Sequence, residues 1–286
     1  MIKVSTLLVL LAVNLIPLTP ADAAEYGTCK FNSATLRFAG SVEQTVGCLL
    51  KKVRERGSGA DAQPIPDWLL QRVDKPVGFT PKQLEAYLTR EHIDVAALSN
   101  TLTLGDTPHV RYFVIHDTSS PETETASTTF PPNINEASWP GNGLGGWAGV
   151  ARKVHLIVSR DGRSRALVPW GAARTSPATK LEQTNFVPAA RRVFVHVENI
   201  QPRLKALGSW GWRAPMPGFG PEQEKRLALA YMVASLRAGR WLIPAYHFNI
   251  DAGLSTDAHD DPQHADLASW VTQIDALERD VLANGH

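Results

Sequence analysis

The segment Arg111-Tyr112-Phe113-Val114-Ile115-His116-Asp117-Thr118-Ser119 joins an apolar run to a histidine. Tyr112 to Ile115 are aromatic or β-branched, with no polar alternation, which predicts a strand buried on both faces. His116 falls where the apolar run ends, and Asp117, Thr118, Ser119, Ser120 and Pro121 read as loop. A histidine at the tip of a rigid strand is a well-fixed place for a metal ligand, because the backbone beneath it cannot drift. A strand-end histidine that merely faces water fits this stretch equally well.

Further segments extend the pattern. Lys153–Ser159 reads as a strand, Arg160-Asp161-Gly162 as a hairpin turn and Ser164–Pro169 as its partner. Arg192–Val197 is another strand, and Trp241–Tyr246 leads into His247. Pro221–Ala238 is a long buried helix closed by Gly239, and a last helix runs from about His264 to Ala283. Strands mixed with helices, one hairpin among them, predict an α/β fold: a mixed central β-sheet flanked by helices. The Ser/Thr/Pro/Gly-rich loop from Thr118 to Gly149 carries Trp139 and Trp147. They suit a ligand-lined cleft or packing of the loop on itself.

The N-terminal third is of another kind. Lys3, an apolar run from Val4 to Leu18 and an Ala21-x-Ala23 signature read as a secretory signal peptide over residues 1–23. Asn14, Pro17 and Pro20 interrupt the run short of a membrane span, so no stable membrane insertion is expected once the signal is removed. The destination is then the periplasm or the medium. The two cysteines, Cys29 and Cys48, are expected to form a disulfide there. Residues 24–107 read as a small helical N-terminal lobe, and 108–286 as the main domain. One helix starts at Ser41, capped with Gln44, and is expected to end at Gly57. A short one covers Asp67–Val73, and one starts at the Thr80-Pro81-Lys82-Gln83 capping box. A net charge of +1 over 286 residues, with 43% hydrophobic and 20% charged, describes a globular chain and gives no support for a nucleic-acid partner.

Four places concentrate chemistry: His116, Glu198 at the end of the Phe194–Val197 strand, His247, and His259-Asp260-Asp261-Pro262. Two histidines and a carboxylate suit a catalytic zinc that keeps its fourth position open, and Glu198 suits a general base beside it. His155 and His196 alternate with apolar neighbours and read as core or cleft-wall residues. Asp161 reads as a turn residue, and His92, His109, His264 and His286 as solvated.

Taken in order, Val114-Ile115-His116-Asp117-Thr118, Val154–Gly162, Val195-His196-Val197-Glu198-Asn199, His247, Asp261-Pro262 and Trp270 resemble the zinc N-acetylmuramoyl-L-alanine amidases of the type-2 amidase and peptidoglycan-recognition superfamily. The resemblance spans roughly Pro108 to the C-terminus. It implies a mixed sheet with flanking helices, Zn2+ held by His116, His247 and Asp261, and Glu198 as general base. It places His259 where relatives carry a basic residue that stabilises the oxyanion. The implied substrate is peptidoglycan or a muropeptide, cut between the muramic-acid lactyl group and L-alanine. A non-catalytic peptidoglycan-binding module on this fold is the alternative, as is hydrolysis of another cell-wall amide. Two departures stand out. The interval from His247 to Asp261 is longer than the family pattern, so either an insertion loops out or the third ligand is Asp257, His259 or Asp260. Gly171-Ala172-Ala173-Arg174 stands where a Trp-His-Ala-Gly segment is common, with Arg174 read as a carboxylate binder or a surface residue.

Overall fold

The computed structural model describes residues 24–55, 59–127, 129–147, 149–171, 174, 176–207, 212–254 and 259–283. Residues 1–23, read from the sequence as a signal peptide, and Gly57, Asp257 and His286 lie outside the described residues.

The N-terminal region opens with three two-residue strands, β1 (Glu25–Tyr26), β2 (Phe31–Asn32) and β3 (Arg37–Phe38), joined in an antiparallel sheet. Helix α1 (Val42–Leu49) follows, with the expected capping box between Ser41 and Gln44. It ends eight residues before Gly57, because Leu50 caps it and Lys52–Val53 forms β4, paired with β5 (Ala60–Asp61). Helix α2 (Asp67–Arg72) and helix α3 (Pro81–Arg90) match the predicted positions, the latter with its Thr80–Gln83 box and Pro81 in the first turn. The expected helical lobe is therefore a mixed one. Its strands are too short to show a period-2 pattern, which is why the sequence hid them.

Cys29 and Cys48 form the expected disulfide, with Cα atoms 5.8 Å apart, tying the three-stranded sheet to α1. Phe31 and Phe38 from that sheet meet Tyr112 and Phe194 edge-on or tilted, and the Tyr112 hydroxyl accepts the Phe38 amide. One continuous apolar core runs from Phe31 through the central strands to Val281.

The central sheet contains β6 (Tyr112–Asp117). Beyond it lie β7 (Glu122–Thr125), β8 (Leu156–Val158), β9 (Ser164–Ala166), β10 (Phe194–Asn199), β11 (Arg203–Ala206), helix α4 (Pro221–Ala238), β12 (Ile243–Tyr246), helix α5 (His247–Asp251) and helix α6 (Leu267–Ala283). The strand order is β12-β6-β10-β8-β9. The first four run parallel and β9 is antiparallel to β8, so this is the mixed sheet the sequence predicts. Strands β7 and β11 form a separate parallel pair, inside and beyond the segments read as loop.

Side chains alternate along each strand. Phe113 of β6 meets Tyr231 of α4 and stacks on Trp270 of α6, so one face of the sheet carries those two helices. Tyr112 and Phe194 point to the opposite face, under the N-terminal sheet. Both faces are covered, which explains the unbroken apolar run of β6. Helix α4 ends where predicted, with Gly239 in the left-handed region at φ 73°. Helix α6 starts at Leu267, three residues later than expected. His264, read as solvated, instead binds the Pro215 carbonyl at 2.9 Å and Glu55 at 2.7 Å. No helix among the described residues is long and apolar enough to cross a membrane.

The disulfide closes a loop between residues 19 apart in sequence, so its constraint on the unfolded chain is worth about 3 kcal/mol. Replacing both Cys29 and Cys48 by alanine should lower the unfolding free energy by about that amount in denaturant titrations. Unchanged stability would show that the aromatic contacts alone hold this sheet in place.

Candidate metal centre

The parallel strands β6, β10 and β12 end on the same side, and that is where the chemistry gathers. His116 is the fifth residue of β6 and shares the Tyr112 face. Glu198 is its register partner on β10. Tyr246 of β12 pairs with Ile115, so the next residue, His247, emerges beside His116 and opens α5. Their rings lie 4.3 Å apart between centroids. The chain then leaves through α5 and a turn, and Asp261 brings it back: the Phe248 amide donates to the Asp261 carbonyl at 3.0 Å. The long interval thus loops out. The Asp261–Pro262 peptide is cis.

His116, His247 and Asp261 are all buried, and one donor atom from each lies within 4.8 Å of the other two. Nδ1 of His247 sits 3.0 Å from Oδ2 of Asp261 and 2.9 Å from Oδ1, and Nδ1 of His116 sits 3.6 Å from Oδ2. The remaining ring nitrogens are held from behind. Nε2 of His247 faces Asp251 at 3.0 Å, and Nε2 of His116 faces Nδ1 of His196 at 2.8 Å. Backing of this kind orients metal-ligating histidines. Two imidazoles and one buried carboxylate fit a metal ion with an open coordination position. The cluster can hold a metal, and its members are the three residues the sequence nominated.

The charges are strongly coupled. Burial opposes a proton on His247, but the Asp261 and Asp251 carboxylates outweigh it and raise its pKa well above the ordinary value. Burial also opposes ionisation of Asp261, yet His247 and His116 hold it well below the usual carboxylate range. Burial, with His247 nearby, lowers His116 to about 4.

Glu198 is buried on the same face, and its Oε2 has no hydrogen-bond partner. Burial first, then the Asp261 and Asp117 carboxylates, push it up to about 8. His259 stands at the rim: it is exposed, and its ring stacks on His247 at 5.0 Å and 27°. Asp260 accepts from the Gln263 amide instead of joining the cluster.

Several residues turn out differently from their sequence reading. Asp117, read as loop, ends β6 and is buried, accepting from Arg203 at 2.7 Å and from the Gln263 amide at 3.0 Å. Arg174, read as a carboxylate binder or surface residue, is fully buried and paired with Glu182. His196, read as a core or cleft-wall residue, backs His116, and burial with the Arg174 charge holds it well below the ordinary histidine value. His155 is core, accepting the His196 amide at 3.1 Å, as its alternation implied. Asp251 and Glu182 escaped notice. Asp251 lies four residues after His247, one helical turn, but the sequence does not announce so short a helix. Glu182 carries no local signal at all.

No family model, curated protein or solved structure matches this chain.

Two outcomes test the site. Asp261→Ala should lower the affinity for a divalent ion, while His259→Ala should retain it. Metal content measured on both purified variants decides, and the reverse pattern would move the third ligand to His259. Glu198 ionises near 4.5 in the unfolded chain and near 8 in the folded one, so the folded state binds the extra proton between those values. Its stabilising effect is therefore present at low pH and lost as pH rises through about 8. In chelator-treated protein, Glu198→Gln should gain stability over the wild type as pH crosses that window. A pH-independent difference in denaturant unfolding would contradict this.

Proposed function

We propose that this chain is an exported zinc amidase that hydrolyses the bond between N-acetylmuramic acid and L-alanine in peptidoglycan or muropeptides. The observation that carries the reading is the convergence of His116, His247 and Asp261 at the carboxyl ends of parallel strands, beside a buried Glu198 oxygen with no partner. The ordered set of motifs supplies the substrate class. The disulfide and the signal-like N-terminus support export to the periplasm or the medium.

His116, His247 and Asp261 would hold the zinc. When bound, zinc would polarise the amide carbonyl and make water acidic enough to attack near neutral pH. Glu198 takes the proton of the attacking water at Oε2. Glu198 would then pass that proton on to the leaving amine nitrogen as the carbon–nitrogen bond breaks. His259, in its protonated form, donates from the rim to the developing oxyanion. A non-catalytic binding module would have no use for an unpartnered buried carboxylate, because burying one without a bond costs stability.

The test is release of new L-alanine amino termini from purified cell wall by the zinc-loaded protein. Glu198→Ala should keep the metal and the fold while kcat falls about 100-fold or more. Near-normal turnover with metal intact removes Glu198 from the mechanism. New amino termini on other stem residues point to a different cell-wall amide, and binding without cleavage points to a recognition module.

A further inference from the structure

We propose that one short segment, Ala178–Glu182, fixes a proton on Nε2 of both histidines in the cluster, so that Nδ1 is the nitrogen each turns to the metal. Glu182 and Asp251 act as positioning residues, and the proposal rests on reading His116, His247 and Asp261 as a metal centre.

Hydrogen-bond direction fixes each proton in turn. Glu182 is fully buried. Its Oε2 accepts the Ala178 amide at 2.8 Å, the Thr179 amide at 3.1 Å and Arg174 Nη1 at 3.2 Å. Its Oε1 accepts from Arg174 Nη2 and faces His196 Nε2 at 3.2 Å. Backbone amides and guanidinium groups can only donate. Glu182 is therefore an acceptor throughout, and His196 must donate to it from Nε2. A neutral imidazole has one N–H, so His196 Nδ1 is left as an acceptor. That atom lies 2.8 Å from His116 Nε2, which must supply the proton of this contact. His116 has then spent its only N–H, and its Nδ1, the atom 3.6 Å from Asp261, carries a lone pair.

The same segment reaches His247. The Lys180 and Leu181 amides donate to Asp251 Oδ2 and Oδ1 at 2.8 and 3.1 Å. Asp251 Oδ2 lies 3.0 Å from His247 Nε2 and accepts from it, so Nδ1, which faces the Asp261 carboxylate at 2.9 Å, is the nitrogen on the metal side. Arg174 is itself anchored on the Lys153 and Arg191 carbonyls, so the end of the relay is fixed.

Direction also makes the relay reversible by one atom. In Glu182→Gln the amide oxygen must stay at the Oε2 place, where three donors converge. The NH2 group then takes the Oε1 place, where it gives up the bond from Arg174 Nη2 and donates to His196 Nε2. His196 must move its proton to Nδ1, donate to His116 Nε2, and leave His116 protonated at Nδ1, where it cannot bind metal.

Imidazole nitrogen NMR on the metal-free wild type should show His116 and His196 protonated at Nε2. Glu182→Gln should switch both to Nδ1 and weaken zinc binding about 10–100-fold, the range expected for a group behind a metal ligand. A wild-type His196 protonated at Nδ1 overturns the proposal, as does a folded Glu182→Gln with unchanged tautomers and zinc affinity. Should that variant fail to fold, the wild-type spectrum alone decides. Expected tautomers in a protein that binds no zinc would sink the metal centre and leave the proton ordering standing.

Discussion

The in-register parallel pairing of β6 with β10 is the constraint from which the site follows. It sets Glu198 opposite His116 and His196 opposite Val114, all on the sheet face away from α4 and α6. A one-residue slip of β10 would turn His196 and Glu198 toward the helices and bring Val195 and Val197 to the site. Pairing of β12 on the other side of β6 then leaves His247 the next residue out. The positions of His116, Glu198 and His247 are thus set by backbone hydrogen bonds, before any side chain chooses a rotamer.

Buried charge gathers around the carboxyl ends of these strands. Arg174 with Glu182, Arg203 with Asp117, and His247 between Asp251 and Asp261 all lie out of solvent. Such pairs contribute little net stability, because desolvation offsets most of the attraction, while losing one partner is costly. Their value lies in geometry, since each leaves its neighbour one way to point. Against that background Glu198 Oε2, buried without a hydrogen-bond partner, is the atom free to meet something else.

The residues that support the site come from far along the chain. The disulfide-tied N-terminal sheet closes over Tyr112 and Phe194, at the opposite ends of the strands that carry His116 and Glu198. Helices α4 and α6 clamp the other face through Tyr231 and Trp270. The cluster therefore sits on strands that are immobilised from both sides, which is the condition for holding donor atoms at fixed separations.

The apolar run ending at His116, the strand ending at Glu198 and the capped helices were legible in the sequence, because strand and helix periodicity are local properties. So were the cysteine pair and the five residues of the candidate site, each lying at an element's end or in a short polar loop. Asp261 was nominated through the family resemblance, but no spacing rule placed it beside His247. The fold does so by returning the chain with the Asp261 carbonyl on the Phe248 amide. The short N-terminal strands were hidden as well, since two residues show no period. Glu182, Arg174 and Asp251 were hidden most deeply. Their roles exist only because the fold brings residues up to about 70 positions apart into hydrogen-bond contact in a dry interior, and no local pattern encodes that meeting.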